Sequence, residues 1–169
     1  MSSVVNKGNT YGGIVNYGDI FASGADCLVN PVNCQGTMGA GLAAMFAERY
    51  PGIVTPYKAA CENKSIGIGK VQLLYRADDL NASTFEPEYI INFPTKHAWS
   101  QPSRIEYIRD GLANMFEVAV KQLPHGTTIA CPPLGCGLGG LSLELVLPLL
   151  RKQIEAFAQE GLEMEIWKL

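Results

Sequence analysis

The sequence predicts an α/β fold, with helices layered around a substantially parallel sheet, and three observations carry that prediction. Short apolar segments rich in Val, Ile, Leu and aromatics recur along the chain, at 27–32 (CLVNPV), 70–75 (KVQLLY), 89–93 (YIINF) and 128–131 (TIAC). Segments with helical spacing of apolar residues lie between them, the alternation expected of parallel sheets. Two glycine-rich segments, 33–41 and 132–140, each join such a strand to such a helix. Open α/β sheets bind ligands at that place, beyond the carboxyl ends of the strands.

Taken in order, YGGIVNYGDIF suggests a first strand over 13–17, and CLVNPV a buried strand over 27–32. Residues 41–50 (GLAAMFAERY) have helical spacing, with Leu42, Met45 and Phe46 on one face, and Pro51 breaks the helix. Thr55 and Pro56 open a second short helix, Thr as the cap and Pro in the first turn. Strands follow at 70–75 and 89–93, separated by the polar, turn-rich RADDLNASTFEPE. A long helix covers 103–122, where Ser103 and Glu106 fit a capping box. A strand at 128–131 leads to a helix over 143–159 ended by Gly161, and a last strand spans 163–167.

Composition narrows the function classes. The chain has 169 residues, 47% of them hydrophobic and 17% charged, enough for one domain with a real core and too apolar for a disordered chain. No repeat or linker divides it, so 1–169 reads as one unit. No apolar stretch is long enough to span a bilayer. The N-terminal MSSVVNKGNTYGG lacks the basic-then-apolar pattern of a secretory signal, which predicts a cytoplasmic protein. The net charge of −3 and the lack of a basic run give no support for tracking along a nucleic-acid backbone. Recognition of one modified nucleotide in a pocket is compatible with that charge. Five cysteines without a CxxC, and two histidines, predict neither a disulfide framework nor a metal centre.

The two glycine-rich loops are the chemical signal. Glycine lets the backbone approach a ligand closely, and successive N–H groups ahead of a helix make an anion site. Two such loops can clamp a diphosphate from both sides; they can also be plain tight turns. The P-loop pattern GxxxxGK[ST] is absent, and GxGxxG is absent from the first strand–helix turn, so neither ATP nor ordinary NAD binding fits.

Four segments, GDIF at 18–21, VNPVNCQGTMGAGLA at 29–43, INFPTKHAW at 91–99 and PPLGCGLGG at 132–140, resemble the macrodomain family, whose members bind ADP-ribose. The resemblance covers nearly the whole chain. It implies a single three-layer α/β/α macrodomain with a central mixed, mostly parallel sheet. MGAGLA, NFPTK and GCGLGGL are most similar to one branch of that family. It includes the DarG antitoxins, which remove ADP-ribose from thymine bases in DNA. It also includes the human terminal ADP-ribose glycohydrolase, which removes it from acidic side chains of proteins.

The resemblance implies roles by position. Asp19 accepts a hydrogen bond from the adenine amino group and the Ile20 backbone meets the ring, although an Asp at a strand end is otherwise a routine turn residue. Asn33 holds the distal ribose, against the bland alternative of an Asx turn; Asn30 is structural. Gly39, Ala40 and Gly41 in the first loop, and Leu134, Gly135, Cys136, Gly137, Leu138 and Gly139 in the second, surround the diphosphate and distal ribose. Cys136, with no histidine paired to it, reads as a small filler rather than a reactive thiol.

Lys96 alone is a solvated strand-end lysine; within FPTK the resemblance implies that it is catalytic. A desolvated lysine can lose its proton and serve as nucleophile or base. The implied chemistry is cleavage at the anomeric carbon of the distal ribose, through a Schiff base on Lys96 or through water attack that Lys96 assists. Where the human glycohydrolase has a catalytic aspartate, this chain has Gly139, which favours a nucleobase adduct over a protein ester. His97 and Trp99 are possible contacts to the substrate base, with Arg104 near a neighbouring phosphate, against surface or packing roles. The expected function is therefore an ADP-ribosyl glycohydrolase acting on thymidine-linked ADP-ribose, on single-stranded DNA. The alternatives are an ADP-ribose-binding module, an ADP-ribose 1″-phosphate phosphatase, and a hydrolase of protein glutamate-linked ADP-ribose. No cofactor is implied. The implied partners are ADP-ribose, ADP-ribosylated DNA or protein, and a cognate ADP-ribosyltransferase toxin.

Overall fold

The computed structural model describes residues 15–76 and 87–169. Positions 13 and 14 of the expected first strand, most of the turn-rich segment (77–86) and the N-terminal 1–12 lie outside the described residues. Six strands form one sheet: β1 (Val15–Tyr17), β2 (Cys27–Val32), β3 (Gln72–Tyr75), β4 (Tyr89–Pro94), β5 (Thr128–Cys131) and β6 (Glu163–Lys168). Their order across the sheet is β1-β6-β5-β2-β4-β3. All neighbours run parallel except β3, which pairs antiparallel with β4 at one edge.

Four helices complete three layers: α1 (Gly41–Arg49), α2 (Val54–Glu62), α3 (Ile105–Gln122) and α4 (Leu143–Gln159). Alternation along the strands sorts the core in two. Cys27, Val29, Ile91, Phe93 and Ile129 pack with Ile108, Met115, Leu150 and Phe157 of α3 and α4. On the other face Leu28, Ile90 and Ala130 pack with Phe46 and with Tyr50, which follows α1. Tyr57 and Ala60 of α2 pack on Val32. Strands covered on both faces read as unbroken apolar runs, which is why CLV and YIINF look continuous. Helix α3 approaches the sheet at Gly111, where an added Cβ would meet the Phe93 ring 2.3 Å away.

The α1/α2 face carries a buried amide ladder. The Asn30 Nδ2 donates to Asn92 Oδ1 (3.0 Å), Asn92 Nδ2 to Gln72 Oε1 (3.0 Å), and Gln72 Nε2 to the Pro56 carbonyl (3.0 Å). Asn30 and Gln72 are each the sheet partner of Asn92, so the ladder crosses three strands in register.

Several local expectations change. Thr55 is not a cap: a 3-10 turn at Pro51–Ile53 runs directly into α2, leaving Thr55 inside the helix and Pro56 in its first turn. The Ser103–Glu106 capping box does not form. The N-cap of α3 is Arg104, without a side-chain bond, because the Ser103 N–H is committed to the Gly139 carbonyl (3.0 Å). The buried face of α1 is Ala43 and Phe46; Met45 turns outward. β3 begins at Gln72 rather than 70, because Lys70 closes a small bridge with Gly67 and the Val71 N–H donates to Asn114. Gly161, at φ +76°, ends α4 as expected.

Candidate active site

The five parallel strands end on one side of the sheet, and a cavity of about 1250 Å³ opens there. Gly18, Asp19 and Ile20 follow β1, Asn33 follows β2, Lys96 follows β4, Pro132 and Pro133 follow β5, and Leu169 follows β6; all line it. The volume is somewhat larger than that of the usual site for a drug-sized ligand.

Asp19 caps the 3-10 turn Ile20–Ala22, one carboxylate oxygen accepting from the Phe21 N–H (2.9 Å). The routine turn role and a place on the cavity wall thus belong to the same residue. Asn33 is likewise committed to structure. Its Oδ1 accepts from the Gln35 N–H (2.9 Å), an Asx turn, and its Nδ2 donates to the Thr37 carbonyl (3.0 Å) and Oγ1 (2.9 Å). The Tyr57 hydroxyl sits 2.8 Å from both the Asn33 carbonyl and its Oδ1. Burial pushes that phenol well above its ordinary pKa, so Tyr57 is a donor at every working pH.

Past the strand ends, β2 and β4 stay fastened. The Thr95 N–H donates to the Val32 carbonyl (2.9 Å) and the Cys34 N–H to the His97 carbonyl (3.0 Å). The Trp99 N–H donates to Gln35 Oε1 (3.1 Å). Within this turn the half-buried Lys96 extends its Nζ to the Trp99 carbonyl (3.0 Å). Asn33 and Lys96 are therefore carried on two segments stitched to each other.

The second loop is built from backbone. Cys136 N–H donates to Pro133 O (3.1 Å), Gly140 N–H to Gly137 O (3.1 Å) and Leu141 N–H to Gly135 O (2.9 Å). Gly135 has φ +77°. Gly139 has no room for any side chain: an added Cβ would lie 2.3 Å from Ser103 Oγ and 2.6 Å from the Gly135 carbonyl. Beneath the loop that Ser103 hydroxyl is buried with no hydrogen-bond partner. Residues 135–140 spell GxGxxG letter by letter. The chain runs on through Leu141 and Ser142 before α4 begins, so the third glycine does not open the helix as a dinucleotide fingerprint requires.

The loops meet at the mouth, where Leu138 Cδ1 lies 3.1 Å from the place a Cβ on Gly41 would take. Gly39, Ala40, Gly41, Gly135, Cys136, Gly137, Leu138, Gly139 and Trp99 all line the cavity. Leu134 does not; its side chain is fully buried in the α3/α4 core. His97 does not either, packing edge-on against Tyr107 at a centroid distance of 5.1 Å. Cys136 is half-buried, and burial raises its thiol to about 11, so it is protonated at neutral pH. Among the described residues, no group of three or more His, Cys, Asp or Glu could hold a metal ion.

Sequence reasoning missed Met45, Gln35, Tyr57 and Trp167. Met45 and Trp167 line the cavity, and Tyr57 and Gln35 tie its walls. Of the six large hydrophobic side chains exposed among the described residues, Met45, Trp99, Leu138 and Leu169 rim this one cavity. Only Met45 carried a signal, a methionine on a short helix beginning at a glycine loop.

The family model described as Macro domain matches residues 29–150. The DNA ADP-ribosyl glycohydrolase of Mycobacterium tuberculosis is 40% identical over 150 residues, covering 89% of this chain and 39% of that protein. The chain thus spans about two fifths of that relative's length. The macrodomain of Mycobacterium tuberculosis DarG has the same fold at a TM-score of 0.79 and 35% identity, over 90% of this chain and 96% of that one. Thermosipho africanus DarTG in complex with ADP-ribose matches at a TM-score of 0.79 and 31% identity, over 92% of this chain and 41% of that one.

Proposed function

The chain belongs to the macrodomain family, and from that premise we propose that it is an ADP-ribosyl glycohydrolase that releases ADP-ribose from thymidine on single-stranded DNA. The observation that carries this reading is the Lys96 amine, held on the Trp99 carbonyl in a cavity walled by both glycine loops. ADP-ribose is the ligand, its adenine near Asp19 and Ile20, its diphosphate between the loops, its distal ribose near Asn33 and Lys96.

In the reaction, the bond between the anomeric carbon and the base nitrogen breaks. Water supplies hydroxyl to the carbon and a proton to the base. If the ring carbon–oxygen bond breaks first, the anomeric carbon becomes an iminium carbon still bonded to the base nitrogen. The Lys96 amine adds to it, and the base leaves with a proton. Water hydrolyses the Schiff base that remains, returning the amine and freeing ADP-ribose as the aldehyde, which recloses. If the ring bond stays intact, Lys96 stabilises charge as water attacks. Reduction with cyanoborohydride during turnover separates the routes, because only the first leaves ADP-ribose covalently on Lys96.

Two features favour a base adduct over a glutamate ester. The position of the missing carboxylate, Gly139, cannot take a side chain. Trp99, 68% exposed on the turn that holds Lys96, offers a flat face on which an unpaired base can stack. The enzyme class that supplies this substrate is a DNA ADP-ribosyltransferase, the cognate partner in the proposal, and the reading places the chain in the cytoplasm with that DNA.

The test is turnover of a thymidine-ADP-ribosylated oligonucleotide by wild type and Lys96→Ala. Wild type restores the unmodified strand, and the variant is slower by about a thousandfold or more. An intact adduct with wild type, alongside binding of free ADP-ribose, would leave a binding module, a 1″-phosphate phosphatase or a protein-ester hydrolase. Each of these is assayed with its own substrate.

A further inference from the structure

Gln35 is exposed, apolar neighbours do not bury it, and the proposed reaction gives it no role. Yet its two polar ends serve both halves of the site. Its backbone N–H donates to Asn33 Oδ1 (2.9 Å), and its side-chain Oε1 accepts from the Trp99 N–H (3.1 Å). The Trp99 carbonyl, on the same residue, accepts from Lys96 Nζ (3.0 Å). We infer that Gln35 is a positioning residue for Lys96, acting through Trp99.

The other fasteners between the segments do not reach this point. The Cys34 N–H holds the His97 carbonyl, and the Cys34 thiol donates to the Lys96 carbonyl (3.5 Å). Both fix the start of the turn. Residues 98 and 99 form its far side, closed internally by the Gln101 N–H on the Ala98 carbonyl (3.0 Å). The Gln35 amide ties that far side to the Asn33 loop. The N–H and C=O of one residue are separated by only two soft dihedrals, so fixing the Trp99 N–H limits where its carbonyl points. That carbonyl in turn sets where the lysine amine waits. Released from Gln35, the turn keeps its fold but lets Nζ wander from the anomeric carbon, a loss that falls on the chemical step.

This inference rests on the catalytic reading of Lys96, and its test separates the two. Gln35→Met keeps the length and loses the acceptor; Gln35→Glu keeps the acceptor. With the thymidine adduct as substrate, the Met variant lowers kcat about tenfold and leaves KM and ADP-ribose affinity unchanged, and the Glu variant restores kcat. The Trp99 amide, followed by NMR, loses protection from exchange in the Met variant and regains it in the Glu variant. An unchanged kcat in the Met variant, a parallel loss of affinity, or failure of Glu to restore the rate would overturn the assignment. Should wild type fail to cleave the adduct, the proposed function falls by itself. The Trp99 amide then decides whether Gln35 fastens the Lys96 turn: no change in its exchange removes that role too.

Discussion

The two glycine-rich loops occupy equivalent places, each between the end of a parallel strand and a helix, and they are built in opposite ways. The first is held by side chains: the Asn33 amide accepts from the Gln35 N–H and the Tyr57 hydroxyl and donates to the carbonyl and hydroxyl of Thr37, around one Asx turn. The second is held by its own backbone and by the absence of side chains, with Gly139 pressed against Ser103 and the Gly135 carbonyl. A loop of the first kind is undone by taking atoms away. A loop of the second kind is undone by adding them.

Gly139→Asp is the strongest way to break the contrast. The added Cβ meets the Ser103 hydroxyl and the Gly135 carbonyl at distances no real Cβ tolerates. Displacing the loop costs about 1–3 kcal/mol in overpacking, and ADP-ribose affinity by calorimetry is expected to fall by about a hundredfold. The variant is also expected to gain no activity on glutamate-linked ADP-ribose, because the carboxylate arrives with the loop out of place.

Asn33→Ala strikes the first loop. It leaves the Gln35 N–H and the Tyr57 hydroxyl without Oδ1, at a cost of about 2 kcal/mol in urea unfolding. Tyr57→Phe is milder and sharpens the comparison. It removes one hydroxyl from Asn33 and is expected to cost about 1 kcal/mol, with little change in ADP-ribose affinity. Cys136→Ala is the smallest. A thiol raised to about 11 by burial holds its proton at neutral pH and loses it only as pH climbs toward that value. Turnover at pH 7.5 is expected to stay within about twofold of wild type, and alkylation of Cys136 to be slow there and to quicken with rising pH.

The layered sheet was legible because its signals are local. CLV and YIINF are doubly buried strands, and α3 and α4 have helical spacing over four turns or more. The Asx turn at Asn33 was legible for the same reason, since Gln35 is two residues away. What was not legible depends on partners far along the chain. Ser103 matched a capping box by spacing, but its N–H is claimed by Gly139, 36 positions on, so the helix starts later. Leu134 lies beside cavity-lining neighbours yet turns into the α3/α4 core, where strand alternation from Cys131 would have put it on the opposite face, because the chain has left the pleat after β5. Thr55 had the composition of a cap, but a 3-10 turn had already begun the helix. Gln35 and Trp99 are 64 residues apart, and nothing at either position foretells the other.

The amide ladder has a consequence for the site beyond it. Asn30 and Asn92 are sheet partners and hydrogen-bond each other, and Asn33 and Lys96 lie three and four residues further on, just past the ends of the same two strands. Sliding one strand by a single residue would shift Lys96 relative to Asn33 by about 3.3 Å and turn the amide of that strand to the opposite face of the sheet from its partner. An apolar pair at that depth would tolerate such a slip far better than two amides that must find each other. The spacing between Asn33 and Lys96, the two groups proposed to meet the distal ribose, is thus calibrated inside the protein by two fully buried carboxamides.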